Sequence, residues 1–278
     1  MAALASSNVQ DAEPDLIFRA AGKYLWDGQG TPPRLSVLDA GTGRSSLGWL
    51  LRSGWVGSWA AVTASAAMER DVAETLRAAP ADAPPGRVVR ATWDDAECMR
   101  GEVFDVVVAD YLLGSVDGFT PYRQDALVER LLEHLKPGGA LLFVGLEPIP
   151  NAAPPPHDVV PLCARLRDAV FLHAGQRPYR EYPLQWVLRA LLKAGLVCEL
   201  TRRFPIIYSA NDLCKELNTA RARLPLVEAR SGAAFARALG AHIDEVEART
   251  RDTLAQQPGG RLGYGEDYLV CARLPSPV

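Results

Sequence analysis

Between Leu35 and Leu146, short apolar runs alternate with longer amphipathic stretches, and this period constrains the fold more than any other feature of the chain. Five runs stand out: LSVLDA (Leu35 to Ala40), WAAVTA (Trp59 to Ala64), RVVRAT (Arg87 to Thr92), FDVVVAD (Phe104 to Asp110) and ALLFVGL (Ala140 to Leu146). Their apolar residues are continuous rather than alternating, as in strands covered by helices on both faces. Between the runs, AAMERDVAETLRAA sets Met68, Val72 and Leu76 at helical spacing, and ALVERLLEHLKPGG carries an apolar stripe stopped by Pro137 and Gly138. Repetition of this kind predicts βαβ units and a parallel sheet.

The Pro-rich stretch EPIPNAAPPPHD cannot continue either element and reads as a loop. Helical patterns follow in PLCARLRDAVFLHAG and LQWVLRALLKAG, then strands in LVCELTRRF and in GEDYLVCARL (Gly265 to Leu274). Between these last strands lie roughly sixty residues, far more than a hairpin connection needs. Helical spacing in DLCKELNTARARL and AAFARALGAHIDEVEARTRDTLAQQ makes that insertion a helical cap. The expected organisation is an N-terminal helical lid over 1–34, an α/β domain over 35–204 and 263–278, and a cap over 205–262.

Composition narrows the partners. With 278 residues, 48% of them hydrophobic, the chain can bury a large core, and its net charge of −3 supplies no basic field for DNA. Five cysteines and four histidines are dispersed without metal-ligand spacing, so the expectation is no metal and buried thiols in a reducing compartment. MAALASSNVQDAEPD has neither a secretory nor a transit pattern, and no run nears the ~18 apolar residues of a membrane span. A cytoplasmic protein without a membrane partner is expected. Nothing in the sequence speaks to oligomeric state.

The sharpest local signal is VLDAGTGRSSLGWLL, an apolar strand running through Asp39, Gly41 and Gly43 into a helix. Glycines at such a turn let the backbone approach a ligand, and the new helix offers free N–H groups. The stretch completes neither GxGxxG nor GxxxxGK[ST], which weighs against a dinucleotide or a nucleoside triphosphate. DAGTG, and KPGG at Lys136 to Gly139 four strands later, resemble two motifs of the class I S-adenosylmethionine-dependent methyltransferases. The resemblance covers about Leu35 to Leu146. It implies a Rossmann-like, seven-stranded, mostly parallel sheet with helices on both faces and S-adenosyl-L-methionine as cofactor, S-adenosyl-L-homocysteine being its product.

Carried over by position, the resemblance sets Asp39, Gly41, Thr42 and Gly43 around the methionine portion of the cofactor. It gives the adenine to Asp94 or Asp95, with Asp95 preferred by spacing. One position departs from the pattern: TASAAM has Thr63 where the family has an acid for the ribose hydroxyls, and a hydroxyl cannot match a bidentate carboxylate. Arg19, Lys23, Tyr24 and Trp26, before the first strand, are lid candidates, Tyr24 foremost.

Methyl transfer from a sulfonium is an in-line displacement that needs orientation, desolvation and, for a protonated nucleophile, a base. Catalytic candidates therefore fall at the carboxyl ends of the fourth and fifth strands. Asp110 and Tyr111 stand at the first, Asp110 also beside the cofactor, and Glu147 with Pro148 at the second. RPYREYP adds Arg177, Tyr179, Arg180, Glu181 and Tyr182, of which Tyr179, Arg180 and Glu181 are substrate-binding candidates. Acids and aromatics together favour an amine or amino-acid-like small molecule and N-methylation, while the arginines also admit a carboxylate or phosphate. A protein or RNA methyltransferase and a cofactor-binding module without turnover are the alternative classes.

Overall fold

A computed structural model describes residues 16–276. In chain order its elements are α1 (Leu16–Leu25), β1 (Leu35–Asp39), α2 (Arg44–Arg52), β2 (Val56–Thr63), α3 (Ala66–Arg77), β3 (Gly86–Arg90) and β4 (Phe104–Asp110). Then come α4 (Leu112–Phe119), α5 (Gln124–Leu132), β5 (Leu135–Leu146), α6 (Val159–His173), α7 (Leu184–Lys193) and β6 (Val197–Ser209). The chain closes with α8 (Ala210–Arg221), α9 (Leu224–Ser231), α10 (Ala233–Ala255) and β7 (Arg261–Arg273).

The strands form one seven-stranded sheet in the order β3-β2-β1-β4-β5-β7-β6. β1 to β5 pair in parallel, and β7 runs antiparallel to both β5 and β6. Alternate residues of each buried strand feed opposite layers. Val107 and Ala109 of β4 pack with Leu113, Leu131 and Leu191 of α4, α5 and α7. Val106 and Val108 pack with Ile17, Leu50 and Val72 of α1, α2 and α3. Helices cover both faces, which is why the strands read as unbroken apolar runs.

Three features depart from the sequence reading. KPGG lies inside β5, which begins at Leu135; Gly138 takes φ +76°, and the pairing with β4 slips between Phe104 and Val106. The positive φ needs a glycine there, so a strand irregularity leaves the same sequence mark as a turn. The insertion begins at Ala210 rather than 205, because β6 and β7 extend their ladder to Ser209 and Arg261. Finally, α6 packs with the insertion: Val160, Cys163 and Val170 share a core with Leu213, Leu217, Val227, Ile243 and Val246. The cap is thus built from α6 together with α8, α9 and α10. Of the proposed lid, residues 16–34 are described and 1–15 lie outside the described residues.

Candidate functional site

A cavity of about 690 Å³ opens where β1, β2, β4 and β5 end, roofed by α6 and α8. Its volume falls within the roughly 300–1,000 Å³ of small-ligand sites. Ligands of open α/β sheets bind at this edge, beside the point where strand order reverses, here between β1 and β4.

One wall is backbone and short side chains. Asp39 ends β1 fully buried, and one carboxylate oxygen accepts from the Ser46 hydroxyl at 2.8 Å. Its other oxygen, Oδ1, and the Oγ1 of Thr42, a residue 3% exposed, make no hydrogen bond of full geometry among the described residues, although the Thr42 hydroxyl lies near enough to favour the charged carboxylate. Burial raises the Asp39 pKa to about 6, and the nearby Thr42 hydroxyl, Ser46 and the Gly41 amide draw it down. The turn is pinned by Ala40 N–H to Val108 O at 2.8 Å and Thr42 N–H to Val62 O at 2.9 Å. A Cβ on Gly41 would lie 2.8 Å from Leu112 Cδ1, so this glycine is fixed by the start of α4. A Cβ on Gly43 would meet nothing within 4 Å, which leaves open space at the N-terminus of α2. Unpartnered buried polar atoms beside open space at a helix start suit a small polar ligand.

Thr63, at the end of β2, is buried and lines the cavity, its hydroxyl accepting from Ser65 N–H at 3.3 Å. Ser65 caps α3 by accepting from Ala67 and Met68 N–H. After β3 the cavity is lined by Thr92 and Trp93, not by either aspartate. The Trp93 indole donates to Ala40 O at 2.6 Å and so occupies the inward position. Asp94 turns out to Arg123 at 2.9 Å, and exposed Asp95 accepts from Glu97 N–H.

The opposite wall is charged. Asp110, Tyr111, Tyr179, Arg180 and Glu181 all line the cavity, as do Asp267, Tyr208, Arg167, Asp168 and Glu216. Tyr111 takes φ 46°, ψ 25° between β4 and α4, a left-handed conformation costing about 1 kcal/mol for a non-glycine residue. That turn carries the chain directly from β4 into α4. Glycines shape the rest: a Cβ on Gly114 would lie 2.3 Å from Glu181 Oε1, and one on Gly118 2.6 Å from Tyr179 Cε1. The 179–181 segment therefore rests on the backbone of α4, with Arg180 N–H donating to Gly114 O at 3.3 Å.

Burial dominates the electrostatics here. It pushes Asp110 to about 8, with help from Asp39 and Asp267, and Glu181 to about 8, where Asp267 adds and Arg167 subtracts. Asp267 is pushed to about 6 by burial, with the Tyr111 hydroxyl pulling it back. Tyr111 is raised well above its ordinary value by burial and then by Asp267 and Asp110. Among the described residues no group of His, Cys, Asp and Glu is arranged to hold a metal ion.

Two predicted residues lie elsewhere. Glu147 is outside the cavity lining, held by Arg203 at 2.8 Å while accepting from Leu184 N–H at 3.3 Å. Tyr24 is also outside it, donating to Glu199 at 2.5 Å beneath the Arg273 guanidinium. α1 lies against β6 and β7, far along the sheet order from β1, so Tyr24 docks at that edge. Sequence reasoning missed Asp267, although the acid was visible in GEDYLVCARL. An antiparallel last strand brings its beginning to the edge where the parallel strands end, and Asp267 pairs with Leu146 there. Trp93 and the α6 charges left no comparable mark.

No family model and no curated protein matches the chain. Solved structures do. A protein of Bacillus halodurans assigned as a methyltransferase aligns with 92% of this chain and 100% of its own, at 16% identity and a TM-score of 0.58. The YcgJ protein of Bacillus subtilis aligns with 94% of this chain and 99% of its own, at 16% identity and a TM-score of 0.56. A mycolic acid cyclopropane synthase, crystallised with SAH and CTAB, aligns with 92% of this chain and 83% of its own, at 15% identity and a TM-score of 0.52. At such identities the likeness is one of fold, and the chain shares the architecture of these three proteins over more than nine-tenths of its length.

Proposed function

We propose that the chain is an S-adenosylmethionine-dependent methyltransferase acting on a small molecule, with nitrogen as the acceptor atom. The observation that carries this reading is a single cavity with two unlike walls: a glycine turn with unpartnered polar atoms on one side, half-buried carboxylates on the other. Asp39, Gly41, Thr42 and Gly43 would hold the methionine portion of the cofactor, and Thr63 the ribose. Thr92 and Trp93 would take the adenine side, in place of Asp94 and Asp95. When bound, the cofactor supplies a methyl group on a sulfonium, an electrophile that needs no covalent enzyme intermediate.

The protein's own contribution is then orientation, exclusion of water and proton handling. Asp110 lines the same cavity, and with its pKa raised to about 8 its carboxylate, once ionised, is a stronger base than an ordinary aspartate and can accept a proton from the acceptor. The α6–α8 roof favours a compact acceptor over a macromolecule, which would need an open cleft. No helix among the described residues is long and apolar enough to cross a membrane.

Incubation with methyl-labelled S-adenosylmethionine, against a metabolite extract and separately against total protein and total RNA, tests the reading. Label is expected in the small-molecule fraction. Label confined to protein or RNA would overturn the small-molecule assignment, and no transfer together with no cofactor binding would overturn the enzyme.

A further inference from the structure

The charges on the acceptor wall do not cancel. Arg167 is bound between Asp168 and Glu216, Arg180 reaches Asp168 at 2.6 Å, and Arg165 donates to Asn151 O at 2.9 Å. The cavity's basic groups are thus engaged with protein partners. Asp110, Glu181 and Asp267 have no ion pair among the described residues, and Glu181 makes no hydrogen bond there either. They nevertheless line one cavity, half-buried and close enough for Asp267 to repel both of the others. Their spacing does not form a metal-holding set. Tyr111, Tyr179 and Tyr208 add aromatic groups to the same chamber, and aromatic faces attract cations.

Beside the α6 and α8 charges Arg167, Asp168 and Glu216, which are paired to one another, the same cavity has an apolar surface formed by Leu146, Ile149, Val160, Phe171, Ile206 and Leu213. Most of these residues belong to the core of the cap or pack against it. A ligand filling the chamber needs a cationic head and an apolar body.

Resting on the methyl-donor reading above, we propose that the acceptor is an amphiphilic amine that enters as a cation. Its head lies among Asp110, Glu181 and Asp267, and its body against α6, α8 and the end of β6. A cation there favours the ionised form of these acids and offsets the repulsion of Asp267 on Asp110 and on Glu181, whereas an anionic acceptor adds to it. One proton passing from the ammonium to a carboxylate leaves a neutral amine and a neutral acid, which frees the nitrogen lone pair for attack. Gly114 is a positioning residue: its missing side chain makes room for the Glu181 carboxylate.

Calorimetric titration of the full chain with 2-phenylethylamine, 2-phenylethanol and 3-phenylpropionate tests this, since the three share a body and differ in head charge. The amine is expected to bind about tenfold or more tighter than the alcohol, and the carboxylate more weakly than either. Glu181→Gln and Asp267→Asn should each remove most of that amine preference, and Gly114→Ala should weaken amine binding by displacing Glu181. Circular dichroism confirms that each variant folds. Equal or tighter binding of the carboxylate, unchanged amine preference in both acid variants, or binding of none of the three overturns the proposal. A parallel titration with S-adenosylhomocysteine separates the two readings. Binding of that compound without amine preference overturns the acceptor class alone. Amine preference without it leaves the cation site and removes the methyl donor.

Discussion

The two walls of the cavity are built by opposite means. The wall at the ends of β1 and β2 draws its polar groups from short stretches, with Asp39 to Ser46, Thr63 to Ser65 and the Ser65 cap of α3 each spanning a few residues, while Val62, Trp93 and Val108 pin the turn from farther along the chain. The facing wall is assembled from Asp110, Glu181 and Asp267, which come from β4, the segment before α7 and β7. A local wall preorganises backbone groups for a constant ligand, whereas a wall of distant side chains can be altered piecemeal to suit a changing one.

Gly41→Val should have the largest effect, because Gly41 is where the walls touch. Its side chain would drive into Leu112, the first residue of α4, and disturb both walls. Stability is expected to fall by about 1–3 kcal/mol and turnover by about a hundredfold or more, measured by denaturant titration and label transfer. Asp110→Asn comes next: turnover should drop about a hundredfold while S-adenosylhomocysteine affinity changes little. Equal losses in both would group Asp110 with the glycine-turn wall.

The acid wall also predicts a pH signature. Folded Asp110 and Glu181 titrate near about 8, whereas unfolded carboxylates titrate near about 4. Between those values the folded ligand-free chain binds more protons than the unfolded one, so its stability falls as pH rises from about 4 to 8. Asp110→Asn combined with Glu181→Gln should flatten that slope in denaturant titrations across the range. A slope rising with pH would contradict the burial of these groups.

Thr63→Asp is expected to tighten S-adenosylhomocysteine binding by about 1 kcal/mol, by supplying the charge-assisted acceptor that the threonine lacks. Weaker binding would mean that Thr63 does not face the ribose. Smallest of all, Tyr24→Phe and Asp95→Asn should leave cofactor affinity and turnover unchanged and shift stability by about 0.5 kcal/mol or less. A large loss of affinity in either would restore it to the site.

The same contrast explains what the sequence disclosed. β1 and the glycine turn were legible because strand, acid and glycines are contiguous, and the parallel core because its strands are buried on both faces. Asp94 and Asp95 misled because position along the chain cannot say which of three neighbours turns inward, and Trp93 takes that place through its bond to Ala40. Glu147 misled similarly: the strand-end location was correct, but Arg203 holds the side chain outside the cavity lining. Tyr24 depended on where α1 docks, which only tertiary packing determines. Asp267 needed the antiparallel direction of β7, and the joining of α6 to the cap needed a core that forms across distant segments.

Calorimetric titration of S-adenosylhomocysteine into the wild-type chain, Gly41→Val and Glu181→Gln tests the two-wall account most directly. It predicts one binding site per chain, lost or severely weakened in Gly41→Val and retained in Glu181→Gln. Absence of binding to the wild-type chain, or loss in Glu181→Gln with retention in Gly41→Val, would contradict it.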